Sequence, residues 1–118
     1  MVARQQGREL ARQLGFSSSE ATLIATAISE LARNIVLYAK CGRMSIETSL
    51  DGHRPGLVIT ARDEGPGIRD VQRALMGGYT TSGGMGLGLS GVRRIMDGMD
   101  VESHLGKGTT VTIRKWLD

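Results

Sequence analysis

Cysteine, proline and aromatic residues are all scarce in this chain: among 118 residues there are one Cys, two Pro, one Trp, one Phe and two Tyr. A lone thiol cannot close an intrachain disulfide, and Cys41 has no neighbouring Cys or His with zinc-ligand spacing, so a disulfide scaffold and a structural zinc site are both excluded. Cys41 reads as a half-buried thiol in a reducing compartment. No apolar run approaches the roughly 18 residues of a membrane-spanning helix, and the opening MVARQQGREL lacks the apolar stretch of a signal peptide. The expectation is a cytoplasmic protein with no membrane partner. The net charge of +3 and pI near 9.5 would permit nucleic-acid binding, but aromatics are only 3% and the basic residues are spread along the chain, so no nucleic-acid partner is expected. Arg4, Arg8 and Arg12 recur on one face of a predicted helix, which reads as solvated surface ahead of a docking face.

What is present suits one two-layer core. Hydrophobic residues at 40% and charged residues at 23% describe a chain that folds, and its length fits a single domain over 1–118. Residues 2–14 read as a helix closed by Gly15. Ser17-Ser18-Ser19-Glu20 has the form of a capping box, and after it Ile24, Ile28, Leu31, Ile35 and Tyr38 make one apolar stripe to about residue 39. Met44, Ile46, Thr48 and Leu50 alternate with polar residues, as do Leu57, Ile59 and Ala61 beyond a turn read over Asp51 to Gly56, which predicts a hairpin. Asp63-Glu64-Gly65-Pro66-Gly67 is a turn that leaves Asp63 on the rim of the sheet. A short helix over about 70–76 follows, then a glycine-rich stretch, an amphipathic helix carrying Val92, Ile95, Met96 and Met99, and a hairpin of 101–105 and 109–116 about Gly106-Lys107-Gly108. The fold class is α+β, a two-layer sandwich with helices on one face of a mixed or antiparallel sheet.

The stretch GGMGLGLSG contains Gly86-x-Gly88-x-x-Gly91, the spacing of a dinucleotide-binding fingerprint. Such a fingerprint follows a strand and has an acidic residue about 20 positions on. Here the preceding residues are Gly77-Gly78-Tyr79-Thr80-Thr81-Ser82 and the later region is Thr110-Val111-Thr112, so the match is accidental. A Walker loop fails as well, because Gly106-Lys107 is followed by Gly108. A linker would not carry Met85, Leu87 and Leu89 between glycines and then enter a helix. What remains is a glycine run opening a helix, whose first amides lack internal partners and can hold phosphate oxygens once no side chain blocks approach.

Glu30 and Asn34 lie one helical turn apart, about 40 degrees around the axis at roughly 100 degrees per residue, so both project to one side. Glu30-x-x-x-Asn34 on a helix, Asp63-x-Gly65-x-Gly67 after a strand, Gly84-x-Gly86-x-Gly88 into a helix and Gly106-x-Gly108-Thr109 before a strand together resemble the Bergerat-fold (GHKL) nucleotide-binding family. That family contains Hsp90-type and mismatch-repair ATPases, histidine kinases and anti-sigma-factor serine kinases. The four motifs stand in family order over nearly the whole chain.

The resemblance implies ATP and Mg²⁺ as cofactors. Asp63 would accept a hydrogen bond from the adenine amine, a contact that guanine, with a carbonyl there, cannot offer. Gly65 and Gly67 would let the backbone turn beneath the base, and Thr109 would reach it through water. Asn34 would hold Mg²⁺, and Glu30 would be the general base. Gly84, Gly86, Leu87 and Gly88 would line the phosphates, with Thr81 and Ser82 offering hydroxyls from a lid. Arg33 and Lys107 read as solvated charges.

Glu30 also distinguishes branches, since histidine kinases usually have Asn at this place and the other Glu-bearing members are larger. ISELARNI at 28–35, YTTSGGMGLGL at 79–89 and IRKWL at 113–117 look like the stressosome switch kinases among the anti-sigma-factor serine/threonine kinases. That likeness implies a kinase acting on STAS-domain scaffold proteins and then activating a phosphatase. The alternative is a nucleotide-gated, anti-sigma-type binding regulator. In one respect the chain departs from the family: members generally place a strand before the first helix, whereas this sequence opens almost inside that helix.

Overall fold

The computed structural model describes residues 2–39, 42–67 and 88–117. Its first element, α1 (Val2–Leu14), ends at Gly15, whose φ of 108° gives the left-handed cap that the sequence predicts. Ser17 then caps α2 (Ser18–Tyr38): its Oγ accepts from the Glu20 N–H, and the Glu20 carboxylate accepts from the Ser17 N–H, which closes the capping box. Ile24, Ile28, Leu31 and Ile35 of the expected stripe are buried.

Four strands form one sheet. β1 (Gly42–Asp51) and β2 (Arg54–Asp63) make the first hairpin; after α3 (Gly88–Ile95), β3 (Gly98–His104) and β4 (Gly108–Trp116) make the second. Every neighbouring pair is antiparallel, in the order β1-β2-β4-β3. Alternation along these strands divides the sheet's faces by residue. One face carries the cross-strand rows Thr48–Leu57–Lys115, Ile46–Ile59–Ile113–Met99, Met44–Ala61–Val111–Val101 and Gly42–Asp63–Thr109–Ser103. The middle two rows pack with Ile24, Ile28 and Leu31 of α2 and Leu89 and Val92 of α3 in a single core. The opposite face presents polar rows such as Ser45–Thr60–Thr112–Asp100, as expected of a face that the described helices leave to solvent.

Two boundaries differ from the sequence reading. The first hairpin turns over Gly52 and His53 alone, so Arg54, Pro55 and Gly56 belong to β2 rather than to the turn. Asp51 and Arg54 clasp the turn at 2.8 Å, and Pro55 keeps its carbonyl in use by accepting from the Leu117 N–H. The second difference concerns Met99, which lies in β3 and not in the preceding helix. The helix stops at Ile95, whose carbonyl accepts from Lys115 Nζ, and Asp97 docks the chain onto β4: its N–H donates to the Arg114 carbonyl while its carboxylate accepts from the Trp116 N–H at 2.7 Å. These long-range bonds override the apolar spacing that would extend the helix. Leu50, at the end of the β1 alternation, is 70% exposed because it lies past the part of the sheet that the helices cover.

Candidate functional site

The row Gly42–Asp63–Thr109–Ser103 continues the core-facing side of the sheet by one step, and there apolar side chains give way to polar ones. Asp63 is therefore aimed toward the helix layer because it shares parity with Leu57, Ile59 and Ala61. Its Oδ1 accepts from the Gly65 N–H at 2.9 Å, a local turn that fixes the carboxylate, while no hydrogen bond reaches Oδ2 among the described residues. Beside it Thr109 is buried, its hydroxyl 2.9 Å from that of Ser103 on the neighbouring strand.

Glycines bring two turns into contact here. Gly67 has a φ of 83°, and a methyl group at this position would stand 2.6 Å from the His104 carbonyl oxygen. Gly108, with φ 129°, lies so close to Asp63 that a methyl group would collide with its carbonyl oxygen and come within 2.9 Å of Glu64 Cα. Both positive φ values and both backbone approaches require glycine. The Gly106 N–H donates to the Pro66 carbonyl at 2.9 Å, which completes the junction. Gly108→Ala is accordingly expected to lower stability by about 1–3 kcal/mol through backbone strain and to displace Asp63 together with Glu64. Thermal unfolding checks the first effect and ATP titration the second; an unchanged midpoint would contradict the packing described.

The second part of the site lies on α2. Glu30 is one of two buried polar residues among those described, the other being Thr109. Its Oε2 accepts from the N–H of Gly88, the first residue of α3, at 3.2 Å, so the motif residues 30 and 88 meet across 58 positions of sequence. The opening of α3 thus already holds an anionic oxygen, as the unpaired amides of a helix start favour. Arg33 does not behave as the solvated charge that the sequence reading expects: its Nη1 lies 3.7 Å from Glu30 Oε1, and its side chain is only 32% exposed. Asn34, half-buried, follows one turn after Glu30 on α2.

The two parts are joined through α2. Next to Asn34, Ile35 reaches the Gly42 position opposite Asp63: a methyl group on Gly42 would stand 2.8 Å from Ile35 Cγ2 and 3.2 Å from Asp63 Cβ. No described contact links Glu30 or Asn34 directly to Asp63. Gly42 and Ser103 escaped the sequence reading, which takes Arg33 for a solvated charge. The only available signal for Ser103 and Gly42 is their cross-strand pairing with Thr109 and Asp63, which requires the register. Thr81, Ser82, Gly84, Gly86 and Leu87 lie outside the described residues, as do the helix expected at 70–76 and Cys41.

Mg²⁺ is bound by few protein oxygens together with substrate phosphates and water. Among the described residues no group of three His, Cys, Asp or Glu side chains forms an all-protein cage. The half-buried Asn34 offers one amide oxygen, a hard donor of the type this ion would take beside substrate phosphates. Arg4, Arg8 and Arg12 are all exposed, and Arg4 and Arg8 line a shallow groove with Thr22 and Ala25. No helix among the described residues is long and apolar enough to cross a membrane.

A family model described as histidine kinase-, DNA gyrase B-, and HSP90-like ATPase matches residues 19–118. Among curated proteins, the serine/threonine-protein kinase RsbT of Bacillus subtilis (strain 168) is 49% identical over 117 residues, which cover 99% of this chain and 88% of that protein. The anti-sigma F factor of Thermoanaerobacter sp. (strain X514) is 32% identical over 121 residues, 98% of this chain and 83% of that protein. Among solved structures, the histidine kinase domain from the Erythrobacter litoralis EL346 blue-light activated histidine kinase superposes with a TM-score of 0.62 at 23% identity, covering 85% of this chain and 46% of that one. This last likeness is one of fold, and the chain spans less than half the length of that structure.

Proposed function

This chain belongs to the histidine kinase-, DNA gyrase B-, and HSP90-like ATPase family and is an ATP-using protein serine/threonine kinase of that type; from this premise we propose that its substrates are STAS-domain scaffold proteins of a bacterial stress-signalling complex, and that once they are phosphorylated it activates a phosphatase. The kinase named RsbT, 49% identical along almost the whole chain, supports the reading. In the structure, the meeting of Glu30 with the Gly88 amide, a carboxylate beside a helix start of the kind that binds phosphate, supports the phosphoryl-transfer part of this reading.

In this reading Asp63 selects adenine: Oδ1 is occupied by the Gly65 N–H, and Oδ2 accepts from the exocyclic amine. Thr109 reaches the base through water, with Gly65 and Gly67 shaping the backbone below it. Gly84, Gly86, Leu87 and Gly88 line the phosphates, and Thr81 and Ser82 add hydroxyls. Asn34 would hold Mg²⁺ through its side-chain oxygen, and the ion would offset negative charge on the phosphates. Glu30 takes the proton of the substrate Ser or Thr hydroxyl as that oxygen bonds to the γ-phosphorus; the bond from γ-phosphorus to the β,γ-bridging oxygen breaks, and ADP leaves.

A specific observation favours a second reading. Anti-sigma F factors are 29–34% identical over most of the chain, which fits a nucleotide-gated regulator that sequesters a partner and transfers phosphate slowly. One experiment separates the two. Incubation with γ-labelled ATP and a purified STAS-domain protein is expected to label Ser or Thr on that protein within minutes. Absence of label, with nucleotide-dependent capture of a sigma factor instead, would replace the first reading by the second.

A further inference from the structure

We infer that Arg33 is a positioning residue for the proton-accepting carboxylate: with the Gly88 amide it restrains the plane of the Glu30 side chain. The inference rests on the reading of Glu30 as general base and adds what makes that base effective.

The last torsion of a glutamate side chain joins an sp³ to an sp² carbon, so it is broad and roughly two-fold, and one contact does not set it. Glu30 has a contact on each oxygen, from different directions. Gly88 N–H meets Oε2 at 3.2 Å from the start of α3, and Arg33 Nη1 stands 3.7 Å from Oε1 from one turn along α2. Held at both oxygens, the carboxylate loses much of its freedom to turn about that torsion. Each oxygen retains acceptor capacity for a hydroxyl, since an ionised carboxylate offers about four lone-pair sites.

Two further features separate this pair from an ordinary helix-surface ion pair. The Glu30 side chain is only 10% exposed, so solvent screens the attraction less than it would at the surface. At 3.7 Å the approach is also longer than a charge-assisted hydrogen bond. Toward Glu30, Arg33 therefore acts by its charge and not through a paired fork. A lysine at position 33 should replace it in part and an uncharged side chain should not.

The test compares wild-type protein with Arg33→Met, Arg33→Lys and Glu30→Gln, measuring kcat for transfer to the protein substrate and Kd for ATP by calorimetry. Misplacement of a reacting group by about 1 Å costs on the order of 10²-fold in rate. The expected result for Arg33→Met is thus a kcat lower by about 10–100-fold with Kd for ATP within about 2-fold of wild type. Arg33→Lys should recover part of the loss. An unchanged kcat in Arg33→Met would overturn the inference, as would a Kd that worsens in step with kcat or an Arg33→Lys no better than Arg33→Met. Glu30→Gln keeps the outcomes apart: if it transfers phosphate at the wild-type rate, the reading of Glu30 as base fails; if it is inactive while Arg33→Met is fully active, only the role of Arg33 fails.

Discussion

Asp63→Asn is expected to weaken ATP binding on the order of 10³-fold or more while leaving the fold intact, because a site built around one essential polar contact loses affinity steeply when that contact is mismatched. Asparagine is more informative here than alanine. Oδ1 of Asp63 accepts from the Gly65 N–H, so the asparagine oxygen must occupy that place and its NH₂ group must take the place of Oδ2. A donor then faces the donor on adenine. The turn keeps its hydrogen bond, whereas alanine would lose it, at a net cost of about 1 kcal/mol. Calorimetric titration with ATP measures the binding effect, and thermal unfolding verifies that the midpoint has barely moved. Affinity within a few-fold of wild type would remove Asp63 from the nucleotide site.

The second large effect is expected at Glu30. Glu30→Gln should retain ATP affinity and reduce phosphoryl transfer by about 10²–10⁴-fold, the usual contribution of a positioned general base. Glutamine preserves an oxygen for the Gly88 N–H, so the contact between α2 and α3 is kept and the loss isolates proton acceptance. Label transfer from γ-labelled ATP reports the rate, and parallel calorimetry reports binding. Transfer at the wild-type rate would show that another group accepts the proton.

The first two helices were legible residue by residue. The capping box at Ser17–Glu20, the Gly15 cap and the stripe through Ile24, Ile28, Leu31 and Ile35 are local signals, set by neighbours within one or two turns, and all appear in the structure. Strand ends were less legible because they depend on partners far along the chain. Nothing local to Met99 reveals that Asp97 is held by Arg114 and Trp116, nor does the sequence near Pro55 reveal its bond to Leu117.

The candidate site divides in the same way. That Glu30 and Gly88 belong to one site is expected from the family resemblance of the ordered motifs, whereas their direct hydrogen bond is not. Arg33 is not expected there either: three residues after Glu30 it is spaced like many surface charges, and only the burial of Glu30 distinguishes it. Gly42 next to Asp63 likewise depends on strand register, which composition does not encode.

The sheet's alternation has a consequence for how this protein tolerates changes of length. Asp63 lies six positions after Leu57 on β2, an even separation, and so it shares that residue's side of the sheet. Insertion of one residue between them would send the carboxylate to the polar outer surface even if every hydrophobic side chain before it stayed seated. Insertion of two would restore its direction and move it one step further from α2. With Asp63 as the adenine contact proposed above, nucleotide recognition is tied to an odd-or-even count in a single strand, and variants of β2 lengthened by one and by two residues should differ sharply in whether the carboxylate still points beneath the helices.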